Sequence, residues 1–213
     1  MPYTAEHKRQ TRQRIVREAA HAFRERGLDG VSVPGVMSQA GLTHGGFYAH
    51  FASKDALIAS SFSEGFGESA ERLLTPDEGT STAEALDHFV RAYLSRAHRD
   101  EPATGCVVPS LTSEVARASG EVRAGFTAAL REYAHRLAQL LPGADDAERD
   151  TAALTLLAEM AGALQLSRAV DDPALSDAIL LRARRQAWAV IASMQNTSDT
   201  STERIPAKEH PHE

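Results

Sequence analysis

The 213-residue sequence is short of several things whose absence narrows what it does. A single cysteine, Cys106, excludes an intrachain disulfide framework and a Cys-rich zinc module, and it fits a reducing compartment. Long apolar runs are missing too. The most apolar long stretch, Thr151 to Ser167, still contains Glu159 and falls short of the roughly 20 apolar residues a membrane span needs. Residues 1–17 are polar and basic, unlike a secretory leader, so the expectation is a soluble cytoplasmic chain without a membrane partner. There is no strand-like alternation and no internal repeat. Also absent are a Gly-rich phosphate loop, a metal-spaced His/Cys cluster and a nucleophile elbow, so no catalytic residue, metal or cofactor is assigned and an enzyme is not expected. What is present is ordinary globular composition, 42% hydrophobic and 24% charged, enough for one large domain or two small ones.

The formal charge of −6 argues, taken whole, against a nucleic-acid partner. Its distribution argues the reverse. Residues 1–54 carry eight basic side chains against four acidic ones, a balance of +4, which leaves −10 on the remainder. A small basic piece joined to a larger acidic one is the pattern of a nucleic-acid-binding head on an acidic body, although solvated helix faces also differ in sign by chance.

Periodicity decides between the two readings. Ile15, Val16, Ala19, Ala20 and Phe23 recur at helical spacing and define a first helix, with Gly27 placed as a left-handed cap after it. Ser32 is positioned to cap a second helix with Pro34 in its first turn, where no hydrogen bond is lost. Gly35 weakens that helix by about 1 kcal/mol relative to Ala. Thr43 caps a short third helix containing Gly45, Gly46, Phe47, Tyr48 and Phe51, and Ser53 a fourth from Lys54 to about Leu74. Short helices joined by tight turns are a helix-turn-helix pattern. Beyond Pro76 and Gly79 the periodicity gives five amphipathic helices: Leu86 to Ala97, Pro109 to Ala118, Val122 to Leu137, Glu148 to Val170, and Leu175 to Met194. Leu154, Leu156, Leu157, Met160, Ala161, Leu164 and Leu166 make the penultimate helix apolar nearly all round, so both of its faces need cover. The Ser/Thr/Pro/His-rich residues 196–213 lack periodicity and are expected to be disordered.

The stretch Arg14 to Leu57, with Ala19-Ala20, Phe23, Gly27, Val36, Ala40-Gly41-Leu42-Thr43, Gly46-Phe47-Tyr48, His50-Phe51 and Ser53-Lys54, resembles the N-terminal DNA-binding domain of the TetR/AcrR family of transcriptional repressors. Two departures stand out: Pro34-Gly35 where the family uses helix formers, and Met37 where it uses a small side chain. The resemblance implies an all-α fold, with a three-helix head over 1–53 and a helical ligand-binding and dimerisation domain over 54–195. It implies a homodimer that grips a palindromic double-stranded operator and is released by a small-molecule inducer or an electrophile. By the same resemblance Ser32, Thr43, His44, Gly45, Tyr48, His50 and Lys54 are the DNA contacts. Chemistry agrees: paired glycines let a backbone approach a major groove about 12 Å wide, and helix starts offer N–H groups to phosphate. For Tyr48 and His50 the competing reading is packing against the first helix.

For the body, the resemblance implies that the last two helices pair with their symmetry mates, which would cover the second apolar face of the penultimate helix. Phe62, Phe66, Phe89, Tyr93, Phe126, Tyr133 and Met160 are candidates for lining an inducer cavity, with His88 or Gln165 as polar handles, while core packing is the competing reading for each aromatic. Cys106 follows Gly105 just ahead of Pro109, at an expected helix start where free N–H groups would favour its thiolate. That makes it a candidate redox or electrophile sensor, against the alternative of an inert buried residue.

Overall fold

A computed structural model describes residues 5–75, 78–143 and 145–202. Among the described residues the regular structure is helical throughout: α1 (Ala5–Arg26), α2 (Val33–Gln39), a 3-10 helix (His44–Ala49), α3 (Lys54–Leu74), α4 (Thr82–Tyr93), α5 (Arg96–Asp100), a 3-10 turn (Pro102–Thr104), α6 (Val107–Val115), α7 (Gly120–Ala138), α8 (Asp146–Ala169) and α9 (Pro173–Thr202).

Caps explain most of the starts. Ser32, Ser53, Ser81, Ser95, Ser119 and Asp145 each accept a hydrogen bond from a first-turn N–H of α2, α3, α4, α5, α7 and α8, satisfying donors that a helix leaves orphaned. Gly27 ends α1 at φ +77°, the left-handed conformation expected of it, and its N–H returns to the Phe23 carbonyl at 2.8 Å. A side chain here would be doubly penalised, since a Cβ would also lie 2.8 Å from a carboxylate oxygen of Glu114.

Four local expectations are corrected. The third helix is a 3-10 helix, a form suited to six residues with Gly45 and Gly46 in the first turn, where α-helical bonding is weakly favoured. Helix α1 begins at Ala5, extending through the basic segment where apolar periodicity is absent. The helix expected to reach Ala97 stops at Tyr93; Ser95 accepts the His98 N–H and starts α5, which buries His98 rather than Ala97. Helix α9 continues through Thr202, past the expected end at 195, while residues 203–213 of the expected tail lie outside the described residues.

Helix α3 joins the two parts of the molecule. Its first turns put Leu57 and Ile58 into the head core with Ile15, Phe23, Val36, Phe47 and Phe51, and its later turns put Phe62, Phe66 and Ala70 into the body. It packs chiefly against α1 on one side and α7 on the other, so the apolar core is continuous across the 53/54 boundary. In the body α8 packs on α7 and α9.

Candidate nucleic-acid interface and ligand core

The head is built around the 3-10 helix. Phe47 is buried and stacks on Phe51 with centroids 5.7 Å apart, which pins one side of the helix. Met37 is fully buried with its Cε facing Gly46, at 3.7 Å from where a Cβ would sit. The larger residue on α2 and the missing side chain on the 3-10 helix are therefore complementary. With that side anchored, Thr43, His44, Gly45 and Tyr48 face outward, and Tyr48 is 71% exposed. The Tyr48 ring is held edge-on by Phe47 at 5.3 Å and by His44 at 6.4 Å, so its hydroxyl is presented from a braced ring. Thr43 is an N-cap whose hydroxyl caps nothing, leaving it free to donate. Nothing lies within 4 Å of a Cβ built on Gly45, so its lack of a side chain is not demanded by the fold. Ser32 is exposed at the start of α2, its Oγ accepting the Gly35 N–H at 3.2 Å while its own proton remains available.

The other two expected contacts are placed differently. His50 is half-buried, and burial, then Lys8, then Arg12 hold its imidazole below the usual histidine range, so it is neutral at pH 7 and turned towards the start of α1. Lys54 is half-buried and donates from Nζ to the Leu28 carbonyl at 2.7 Å, tying the turn after α1 to the start of α3. One of its three donors is thereby spent within the protein. The charges that periodicity missed are Lys8 and Arg12 of α1: Arg12 lies over the Phe51 ring at 4.6 Å and donates to Ser60 Oγ at 3.0 Å. The only signal of them was the basic excess, since no motif marks that turn.

In the body the expected aromatics converge. Phe62 and Phe126 meet edge-on at 5.4 Å, Phe66 contacts Phe126 at 5.7 Å and Tyr133 at 5.3 Å, and Phe89 contacts Tyr93 at 5.6 Å. All of them, and Met160, are buried. Beside them lies a cavity of about 90 Å³ lined by Phe66, Ala70, Ala129 and Tyr133 with Glu132 and Arg136. It is well below the roughly 300 Å³ of an ordinary small-molecule pocket. The two polar handles are elsewhere: Gln165 is exposed on α8, and His88 is exposed beside a polar 350 Å³ cleft between the end of α3 and α4.

Cys106 stands at the N-cap position of α6, as its place before Pro109 implies, and its surroundings are those of the buried alternative rather than of a thiolate. The side chain is fully buried, and burial pushes the thiol up rather than favouring the thiolate. Its N–H donates to His98 Nε2 at 2.8 Å, and His98 Nδ1 pairs with the Tyr93 carbonyl at 2.7 Å, which fixes a neutral tautomer. Burial pulls that imidazole down to about 4.

Several polar contacts connect head and body, Arg12 with Ser60, Arg17 with Glu64 and His21 with Glu68 among them, and two more involve buried or part-buried groups. Arg24 of α1, buried, donates to the Gly65 carbonyl at 3.0 Å, the Ala103 carbonyl at 2.7 Å and Glu68 at 2.6 Å. Glu114 of α6 accepts the Leu28 N–H at 2.6 Å.

Comparison with known proteins bears on both parts. Residues 15–60 match the family of bacterial regulatory proteins, tetR family, and residues 82–183 match the tetracyclin repressor-like C-terminal domain. An uncharacterized HTH-type transcriptional regulator, YerO of Bacillus subtilis (strain 168), is 26% identical over 154 residues, covering 69% of this chain and 52% of that protein. The chain thus spans about half the length of that curated relative. Among solved structures, the reduced form of E. coli NemR is 19% identical with a TM-score of 0.67, covering 84% of this chain and 95% of that one. A TetR transcriptional regulator from Chloroflexus aurantiacus J-10-FL is 24% identical with a TM-score of 0.66, covering 87% and 96%. These two likenesses establish the fold.

Proposed function

The chain belongs to the tetR family of bacterial regulatory proteins, transcriptional regulators that bind DNA, and from that premise we propose that it is a homodimeric repressor released from its operator by a small-molecule ligand. The observation that carries the DNA half is the outward face Thr43, His44, Gly45 and Tyr48 on a 3-10 helix anchored by buried Phe47. That face offers hydroxyls and ring nitrogens where the backbone is bare, on the basic end of an acidic molecule. Ser32 serves as a further phosphate contact, while His50 and Lys54 act through packing and the Leu28 turn.

Release requires a shift of about 5 kcal/mol between the DNA-binding form and the other form. A ligand in the aromatic core is suited to it, because α6 starts at Cys106 beside that core and holds the end of α1 through Glu114. Release by thiol modification is the weaker route, since a buried neutral thiol is neither accessible nor ionised. Cys106→Ser is accordingly expected to leave release unchanged.

The test is fluorescence anisotropy of the protein with duplex DNA from the region upstream of its own gene, titrated with salt. Affinity should fall steeply with rising salt if phosphates are contacted. Gly45→Val should weaken binding tenfold or more without lowering Tm, because the Val meets DNA and not protein. Salt-independent binding, or unaltered affinity in Gly45→Val, would contradict the assigned face.

A further inference from the structure

Helix α1 begins at Ala5, whereas the family match begins at residue 15, so the first turns of the helix stand outside the matched domain. Where α1 faces the core its inner side is apolar, with Ile15, Val16, Ala19 and Phe23 buried. Traced back at helical spacing, that side continues through Arg12 to Lys8, both exposed. The apolar stripe turns cationic as the helix runs past the head core. The Arg12 guanidinium lies over the Phe51 ring at 4.6 Å and donates to Ser60 Oγ at 3.0 Å. Lys8, one turn earlier, acts together with Arg12 on the imidazole of His50, the residue that ends the 3-10 helix. Arg14 and Arg17 stand on the opposite side of α1.

The pair lacks a counter-charge. Arg9, Arg17, Arg24 and Arg26 of the same helix have carboxylate partners in Glu6, Glu64, Glu68 and Glu25. Among the described residues no carboxylate contacts Lys8 or Arg12, and Glu6, the nearest in sequence, is taken by Arg9 and Gln10. Like charges four residues apart disfavour a helix, so the arrangement suits a bound anion better than the free protein. Donors remain for one: Lys8 spends none of its three within the described residues, and Arg12 spends one of its five on Ser60. Position selects the anion. A 3-10 helix rises about 2.0 Å per residue, so His44–Ala49 spans about 12 Å, comparable with the width of a major groove. Both ends of such a helix come within reach of the phosphates that border the groove. Thr43 offers a hydroxyl at the first end; at the other, His50 is neutral and half-buried, and the uncompensated charge is that of Lys8 and Arg12.

We propose that Lys8 and Arg12 each pair with a backbone phosphate of duplex DNA at the C-terminal end of the 3-10 helix, so that the DNA-binding surface extends onto the first turns of α1, beyond the outward face of residues 43–48. This rests on the reading of the head as the DNA-binding part, and the measurement keeps the two apart. Anisotropy of a labelled duplex from upstream of the gene is titrated with the full chain at several salt concentrations, because the slope of log affinity against log salt counts phosphate contacts at about 0.9 each. Lys8→Ala and Arg12→Gln should each make that slope shallower by about 0.9 and weaken binding about fivefold at moderate salt. Lys8→Arg should restore the native slope. Lys8 has no partner to lose, so Lys8→Ala should keep the native Tm, which leaves the test intact if Arg12→Gln unfolds. Arg14→Ala, on the opposite side of α1, should bind with the native slope. Native slopes in both Lys8→Ala and Arg12→Gln overturn the site while leaving DNA binding by the head in place. An equal change in Arg14→Ala also overturns it, since diffuse charge would then account for the effect. A native chain that binds no duplex overturns the reading of the head, and the site with it.

Discussion

Single side chains in this molecule carry consequences out of proportion to their number, and His98 is the clearest. Its ring is locked between the Tyr93 carbonyl, to which Nδ1–H donates, and the Cys106 N–H, and the second bond requires the neutral form because Nε2 must accept. Burial lowers its pKa from 6.5 to about 4. Below pH 6.5 the unfolded chain binds a proton that the folded one refuses, so stability is full above 6.5 and declines as pH falls towards 4. The loss approaches about 3 kcal/mol at the lower end. Asp100 and Asp177, held below the ordinary carboxyl value of 3.8 by Arg99 and Arg96, act at still lower pH, which separates the windows. Thermal unfolding between pH 7 and 4 should therefore show a falling Tm that flattens in His98→Gln. Parallel slopes in the two proteins would assign the effect to another group. The same ring positions the N–H of the residue that starts α6, so acid should loosen that junction before the rest of the fold.

Elements show what periodicity can and cannot reveal. The long helices announced themselves through apolar stripes, and all but α1 through a Ser or Asp at the start as well, because burial and orphan N–H groups are local demands written in local sequence. Helices α5 and the Pro102–Thr104 turn did not, since eight residues cannot display a period, and His98 is buried there by tertiary contacts alone. The outward face of the 3-10 helix was legible from its glycines and Tyr48, whereas the bond of Lys54 to the Leu28 carbonyl was not, because that carbonyl lies in a turn 26 residues away. The contact of Glu114 with the same turn is likewise invisible in sequence, spanning 86 positions. It is also where α6 touches the head. Glu114→Ala leaves the Leu28 N–H without its carboxylate and should cost on the order of 1–2 kcal/mol. Hydrogen exchange is the direct readout: the Leu28 amide should lose protection about tenfold while the α7 and α8 amides keep theirs. Unchanged exchange at Leu28 would remove Glu114 from the connection between body and head.

For the whole molecule, the decisive surface is the one formed by the last two helices. Leu154 and Leu166 on α8 are 41% and 61% exposed, and Leu175 and Leu181 on α9 are 49% and 50% exposed, while Leu156, Leu157, Met160 and Leu164 on the opposite side of α8 are buried. The helix that sequence shows as apolar all round is thus covered on one side only within a single chain, and a two-fold copy presenting the same stripe would cover the other. Small residues on the outer face of α8, Ala158 and Gly162 among them, allow close approach; nothing lies within 4 Å of a Cβ built on Gly162. Such pairing would also serve DNA binding. One head with a charge balance of +4 would grip a half-site weakly, while two heads on a fixed base would gain an effective concentration on the order of millimolar for the second contact. Replacing Leu166 and Leu181 by Glu places charge at positions already in water in the monomer, so the fold of one chain should change by only about 0.5 kcal/mol per site. Buried in a pair, the same carboxylates face one another. Sedimentation should accordingly find a dimer for the native chain and a folded monomer for the double variant, whose affinity for a palindromic duplex falls by two orders of magnitude or more. A double variant that still sediments as a dimer would move the interface off α8 and α9. A monomer that still binds the palindrome at native affinity would separate dimerisation from recognition altogether.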